Sequence, residues 1–393
     1  MRAYLDHAAT TPVGPAAADA MAPWLVPGQA GNPSGSHWAA RAARQVVDEA
    51  RDIVAELLGT ASGDVVFTSG GTEAANLAVL GRALAQPGPV VVSAVEHHAV
   101  LRAAGAAERL AGREVRTVPV DSAGVVDLAA LSQCLDRSVS VVSVQLVNNE
   151  IGVLQPLADV ARLVRRRAPQ AALHTDAVQG VAWYDLAALA GGADMVSISA
   201  HKFGGPQGAG ALAFRRPVAI QPLAYGGPQE RERRAGTQNV AAIAGLAAAL
   251  RAAAAERAAG AERVGRLRDQ LRAGLLAGIP GARETAPGRA KAPGHCHLLI
   301  DGVESEALLV LLDEGGVAAS AGSACASGAL EPSHVLLALG EPEAAALGAL
   351  RLTLGHSSGA ADVQLALDVI PKAVARLRAG AGRRPALAAG VRS

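Results

Sequence analysis

Short apolar runs alternate with stretches of helical periodicity along much of this 393-residue chain, and that alternation restricts its fold more than any other feature. Asp64 to Thr68, Pro89 to Ala94, Ser138 to Val147, Ala171 to Thr175 and Asp194 to Ser199 read as strands. His37 to Leu58 and Leu157 to Arg167 read as helices. The second closes on Arg165-Arg166-Arg167, charges that suit the negative end of a helix dipole. Strands that are apolar throughout, with helices between them, belong to a parallel sheet covered on both faces. Such sheets bind ligands beyond the carboxyl ends of their strands.

A long Ala-rich helical stretch from Val240 to about Ala277, interrupted near Gly260, leads out of this first lobe. Beyond it, strand patterns at His295 to Ile300 and Ala349 to Leu354 mix with helices and predict a smaller lobe. Thr285 to Gly294, with Pro287 and Pro293, reads as a loop, and Gly380 to Ser393 as a mobile tail.

The apolar run Asp194 to Ile198 closes on Ser199-Ala200-His201-Lys202, in a chain whose only lysines are Lys202, Lys291 and Lys372 among 36 Lys and Arg. Arginine supplies nearly all the positive charge, so a lysine at a strand end points to a need for a primary amine. An amine that can lose its proton forms an imine with an aldehyde; a guanidinium does not. A solvated loop lysine is the plainer alternative.

Upstream, Ala172 to Thr175 forms a short strand that ends in Asp176. That carboxylate is either a helix N-cap or the partner of a pyridinium nitrogen, where it would keep the ring protonated and let pyridoxal phosphate act as an electron sink. Val65 to Thr68 runs into Ser69-Gly70-Gly71-Thr72-Glu73, a strand, a glycine turn and a helix start. Free amide hydrogens and the helix dipole suit a phosphate dianion there, while an ordinary helix capped by Thr72 is the alternative. No Gly-Lys dipeptide occurs, and no strand-turn-helix unit carries a full GxGxxG, so a nucleotide P-loop is excluded.

With further motifs in the same order, these residues resemble the pyridoxal-phosphate-dependent cysteine desulfurases of the IscS/NifS group, within the class V aminotransferase-like enzymes. The resemblance starts at Tyr4-Leu5-Asp6-His7-Ala8-Ala9-Thr10-Thr11-Pro12 and takes in Gly31-Asn32-Pro33-Ser34, Gly70-Gly71-Thr72-Glu73 and Glu96-His97-His98-Ala99-Val100. It continues through Val147-Asn148-Asn149-Glu150-Ile151-Gly152, Asp176, Gln179, the Ser-Ala-His-Lys segment, Arg234-Ala235-Gly236-Thr237, Ala321-Gly322-Ser323-Ala324-Cys325 and Ala349-Leu350-Arg351-Leu352. It implies an α/β chain of the pyridoxal-phosphate-dependent type I, aspartate-aminotransferase-like fold. A large, mostly parallel sheet domain would span residues 15–258. A smaller α+β domain would combine 1–14 with 259–380, and 381–393 would be a tail.

The resemblance also implies roles. Lys202 would carry the cofactor and move the substrate's α-proton, and Asp176 would pair with the ring nitrogen. Gln179 and Asn149 would contact the ring oxygen and its surroundings, and His97 would stack on the ring face and shuttle protons. Gly71, Thr72, Ser199 and His201 would bind the phosphate, joined by Thr237 from the other subunit of a homodimer. Arg351 would grip the substrate carboxylate, with Asn32 nearby. Cys325 would attack the sulfur of bound cysteine, becoming a persulfide and leaving alanine; its Gly, Ala and Ser neighbours keep a thiol reachable. The long glycine-rich loop Ser320 to Ser333 matches the IscS/NifS type rather than the shorter SufS loop, and lets the thiol visit the cofactor and then an acceptor.

Some positions depart from the pattern. Ala200 stands where glycine is usual, Gln207 where lysine is commoner, and Thr175 and Val178 replace Val and Thr around Asp176. Gly226-Gly227-Pro228 lacks a third glycine, which would stiffen the dimer-contacting segment. None of these residues performs chemistry.

A net charge of +1 without a basic patch argues against nucleic acid as a direct partner. Cys134, Cys296 and Cys325, with no CxxC, form neither a disulfide framework nor a zinc cluster and fit a reducing compartment. His97 and His98 are chain neighbours that point apart, and His295 and His297 share one face of a buried strand, so no metal is expected. Met1 leads straight into strand-like residues and no apolar run reaches membrane-spanning length, so a cytoplasmic protein without signal peptide or membrane partner is expected. The reading is a homodimeric enzyme that takes L-cysteine to L-alanine and a Cys325 persulfide for a sulfur-acceptor protein, an iron–sulfur scaffold being one candidate. A selenocysteine lyase, or another lyase or aminotransferase of the same fold, is the alternative. A non-catalytic scaffold is opposed by the intact Lys202, Asp176, His97, Cys325 and Arg351.

Overall fold

The computed structural model describes residues 2–27, 31–322 and 332–381. Cys325 and the tail from residue 382 lie outside the described residues. In chain order the strands are β1 (Ala3–Tyr4), β2 (Val65–Thr68), β3 (Val90–Ser93), β4 (Val115–Val118), β5 (Val141–Ser143) and β6 (Ala172–Asp176). They continue with β7 (Met195–Ser199), β8 (Gly210–Phe214), β9 (Ala282–Glu284), β10 (His295–Ile300), β11 (Val317–Ala318) and β12 (Ala349–Thr353).

Seven of them form one sheet in the order β2-β8-β7-β6-β5-β3-β4. All neighbours are parallel except those of β8, which runs against both β2 and β7. Side chains alternate between two apolar cores. Phe67, Val91, Val142, Leu173, Val196, Ile198 and Ala213 face one. Val66, Val92, Val141, Ala172, Met195, Leu212 and Phe214 face the other. Burial on both faces is why these strands read as unbroken apolar runs.

The covering helices follow from spacing. In Trp38–Leu58 the buried residues Ala40, Ala43, Val47, Ala50, Val54 and Leu58 recur every three to four positions, and Gly59 ends the helix at φ 65°. The sequence strand at Ser138 to Val147 shortens to β5. The Gln145 amide leaves the ladder to bond the Glu96 carboxylate at 2.6 Å, although Val144 and Leu146 still donate to the His174 and Asp176 carbonyls.

A further core holds Ala3 and Leu5 together with Leu271, Leu275, Leu298, Leu312, Leu352 and Ile370. Here β12, β10 and β9 make an antiparallel sheet, and β1 pairs in parallel with β11. The N-terminal residues thus pack with the C-terminal part of the chain. One helix, Val240–Gly278, serves both regions: Ala242, Ile243, Leu246 and Leu250 join the first core, Val264, Leu271 and Leu275 the third. It runs unbroken through Gly260, contrary to the interruption read there. One glycine costs a helix only about 1 kcal/mol, less than the surrounding Ala, Leu, Arg and Glu supply.

Candidate active site

The ends of β2, β3, β6 and β7 open toward one cavity of about 480 Å³, whose wall includes Asp6, Gly71, Thr72, His97, Asn149, Asp176, Gln179, Ser199, His201, Lys202 and Arg351. The structure therefore gathers most of the residues singled out by sequence, drawn from segments far apart in the chain. Asn32 and Thr237 are exposed and lie outside this cavity on the single chain. A second cavity, of about 510 Å³, opens on the other side of Lys202, between Trp183, Ala252 and His356.

Two glycines shape the phosphate side. Gly70 adopts φ 153°, ψ −177°, a conformation essentially restricted to glycine. A Cβ on Gly71 would lie 2.8 Å from Val178 Cγ2 and 3.3 Å from Ser199 Cβ. The helix Gly71–Ala85 starts here with no side chain capping it, so Thr72 lies in its first turn rather than serving as the cap. Glu73 in that turn accepts the Ser69 amide at 2.7 Å and holds Arg234 at 2.8 Å, tethering the segment that carries Thr237.

Lys202 closes a short turn, Ala200–Lys202, directly after β7, and its amine donates to the carbonyl oxygens of Ala8 and Ala9. Burial, with Arg351 pushing the same way, lowers its pKa to about 8. Asp176 ends β6 and accepts the Val178 amide at 2.9 Å. Burial raises its pKa, and the nearby His97 and Lys202 oppose that rise. His97 caps the helix His98–Ala111: its Nδ1 accepts the Ala99 amide at 3.0 Å, so the proton of the neutral ring sits on Nε2. Burial lowers the pKa of His97 and takes that of His201 to about 4, with His201 Nδ1 3.1 Å from Thr10 Oγ1. Gln179 donates to the Ala8 carbonyl at 2.9 Å.

Arg351, on β12, is buried. It donates to the Asn149 carbonyl at 3.0 Å and the Gly322 carbonyl at 3.3 Å, and pairs with Asp6 at 2.9 Å. Ser320 and Gly322 on one side of Cys325, and His334 on the other, reach the cavity wall.

Sequence reasoning gave no role to several groups here. Glu96, completely buried at the end of β3, accepts the Gln145 amide, and burial raises its pKa to about 8 with the Asp176 charge adding to the rise. Glu150 accepts the Ser333 hydroxyl at 2.5 Å, and the His98 and His334 rings lie 4.6 Å apart. Glu96, His98 and Glu150 all sit inside quoted motifs, but nothing local marks them as site residues.

An amine of lowered pKa, a buried carboxylate and an uncapped helix N-terminus in one cavity match the aldehyde, ring nitrogen and phosphate of pyridoxal phosphate. Among the described residues no group of three or more His, Cys, Asp or Glu is placed to hold a metal ion, and no helix is long and apolar enough to cross a membrane.

The family model for aminotransferase class-V matches residues 3–366. A protein of Mycobacterium tuberculosis (strain ATCC 25618 / H37Rv) named IscS-like cysteine desulfurase is 43% identical, over 98% of each chain. Among solved structures, one described as a NifS-like protein superposes with a TM-score of 0.88 at 32% identity, over 96% of this chain and 100% of the other. Another, SspA in complex with cysteine, gives a TM-score of 0.77 at 29% identity, over 90% of this chain and 99% of the other.

Proposed function

The chain belongs to the aminotransferase class-V family, and from that membership we propose that it is a pyridoxal-phosphate-dependent cysteine desulfurase of the IscS/NifS kind. It takes L-cysteine to L-alanine and passes the sulfur on from Cys325. The observation that carries this reading is the convergence of Lys202, Asp176, His97 and Arg351 with an uncapped helix N-terminus on one cavity.

Bound there, pyridoxal phosphate supplies an aldehyde carbon and a protonated ring that stores an electron pair. Lys202 would hold it and carry the proton at the substrate's α-carbon; a pKa of about 8 leaves part of the amine unprotonated near neutrality. Asp176 would face the ring nitrogen, and His97 would cover the ring, donating from Nε2. Gln179 and Asn149 would border the ring oxygen. The Gly71 and Thr72 amides, Ser199 and His201 would hold the phosphate, and Thr237 would add a contact from the second copy of a homodimer. Arg351 would bind the substrate carboxylate.

The Cys325 thiolate would then attack the substrate sulfur. A sulfur–sulfur bond forms, the carbon–sulfur bond breaks, and protonation of the carbon gives alanine. The other thiols suit this poorly. Cys296 is buried, its pKa pushed up to about 12, and burial raises that of half-buried Cys134. A sulfur-acceptor protein, of which an iron–sulfur scaffold is one example, would take the persulfide sulfur in a reducing, cytoplasmic setting. We place the boundary between large and small domains near residue 258, within the helix Val240–Gly278, with residues 1–14 in the small domain.

Purified protein given L-cysteine under reducing conditions should release alanine and sulfide in equal amounts, and both should vanish in Cys325→Ser and Lys202→Ala. Pyruvate or a keto acid as product, or activity indifferent to Cys325, would instead assign a lyase or aminotransferase.

A further inference from the structure

Four polar side chains form one hydrogen-bonded chain inside the large sheet, and all four are completely buried: Glu96 just beyond β3, Ser143 on β5, His174 on β6 and Ser197 on β7. The Ser143 hydroxyl lies 3.4 Å from Glu96 Oε2 and 2.9 Å from His174 Nδ1, and His174 Nε2 lies 2.7 Å from the Ser197 hydroxyl. The chain thus crosses four neighbouring strands. Alternation along β6 puts His174 on the face that carries Asp176, and Ser197 pairs with Asp176 across the ladder. Consecutive amides tie Glu96 and Asp176 to one segment: Gln145 donates to the Glu96 carboxyl at 2.6 Å, and Leu146 to the Asp176 carbonyl at 2.9 Å.

Two neighbouring buried carboxyl groups do not both ionise without cost. Asp176 has the Val178 amide, with His97 and Lys202 favouring its charge. The Glu96 carboxyl meets only the Gln145 amide and the Ser143 hydroxyl, with His174 beyond Ser143 and the Asp176 charge nearby; His97 is its chain neighbour, and His334 Nε2 lies 3.0 Å from its carbonyl. Resting on the desulfurase reading, we propose that Glu96 is a positioning residue: the relay through Ser143, His174 and Ser197 gives it a hydrogen-bonded place for a proton, so that Asp176 is the one carboxylate charge set against the ring nitrogen. Protonated Glu96 donates to Ser143, Ser143 donates to His174 Nδ1, and the ring proton on Nε2 points to Ser197. Ionised Glu96 accepts from Ser143, Ser143 accepts from Nδ1, and Nε2 accepts the Ser197 hydroxyl. One proton, exchanged with solvent, separates the two arrangements. Burial holds the His174 pKa at about 3, so the ring stays neutral and only its tautomer changes. Ionised Glu96 adds a second negative charge behind Asp176, and the ring nitrogen then holds its proton more tightly.

The test compares holoenzyme of wild type, Glu96→Gln and Ser143→Ala, titrated with base while cofactor absorbance and the nitrogen NMR spectrum of histidine-labelled protein are followed. His174→Gln identifies the His174 signals. Turnover is not read, so failure to make alanine from L-cysteine would defeat the desulfurase reading while leaving this comparison intact. In wild type the His174 ring proton should move from Nε2 to Nδ1 as pH rises through about 8, and cofactor absorbance should pass a step at the same pH, coupled to any other. Glu96→Gln donates to Ser143 at every pH, so it should lose that step and hold the proton on Nε2. Ser143→Ala cuts the relay and should fix the His174 tautomer. A step that Glu96→Gln retains, as expected if Glu96 is merely structural, would overturn the proposal. So would a wild-type tautomer that ignores pH, or one that still switches in Ser143→Ala.

Discussion

The Lys202 amine donates to the carbonyl oxygen of Ala9 at 2.8 Å, so the N-terminal segment, which packs with the C-terminal core, supplies an acceptor for a nitrogen mounted on the large sheet. Carbonyl oxygens stabilise a charged amine, yet burial outweighs them and brings the Lys202 pKa down to about 8 from 10.5.

That shift fixes a stability slope in the cofactor-free protein. Between about pH 8 and 10.5 the unfolded chain holds a proton on Lys202 that the folded chain has lost, so stability rises with pH across this window. Lys202→Met removes the slope. Denaturant unfolding from pH 7 to 11 should show wild type gaining on the variant only above pH 8. Parallel curves would mean that Lys202 titrates as a solvated lysine.

Glu96 carries the opposite sign. Its folded pKa of about 8 lies above the ordinary 4.5, so the folded state binds the extra proton and stability falls as pH rises between those values. Glu96→Gln keeps an acceptor for the Gln145 amide and never has to ionise. The variant's stability relative to wild type should climb from pH 4.5 to 8 and level off beyond. A difference that does not change with pH would show that Glu96 is ionised throughout.

What the sequence revealed, and what it hid, divides by the range of the interaction. Met195–Ser199 carries Met, Val and Ile with only small serines between and after them, so a buried strand and the site at its end could be read locally, and scarcity of lysine singled out Lys202. The pairing of Arg351 with Asp6 spans 345 residues and exists only because β1 packs beside the C-terminal strands. No periodicity encodes that. The same holds for Glu96, whose burial comes from Gln145 and Ser143 on the neighbouring strand segment. Thr72 looked like a helix cap because Thr favours that position, but the cap is Gly70 and the helix starts two residues earlier.

Gly71→Ala tests the phosphate side. The added methyl meets Val178 and Ser199, and Val178 is the residue whose amide holds Asp176. Overpacking costs about 1–3 kcal/mol, while alanine regains about 1 kcal/mol as a helix former. Unfolding of the cofactor-free protein should therefore move little. Cofactor affinity, followed by absorbance titration, should fall about tenfold, since the phosphate and the methyl both need the space beside Ser199. Unchanged affinity would remove Gly71 from the cradle.

The long helix Val240–Gly278 allows one substitution to be tried in two environments. At Gly260 an added Cβ meets nothing within 4 Å, so Gly260→Ala should stabilise the protein by about 1 kcal/mol, by restricting the unfolded chain and improving the helix. At Gly245 the same methyl would lie 2.7 Å from Met21 Cγ and 3.1 Å from Pro206 Cδ, where the helix packs against both residues. The ring of Pro206 cannot swing aside, so overpacking exceeds the propensity gain and Gly245→Ala should lose about 1 kcal/mol. Opposite shifts in the denaturation midpoint would show that the helix continues through Gly260 in solution and that its glycines answer to packing. A loss at Gly260 would restore the break that its sequence suggests.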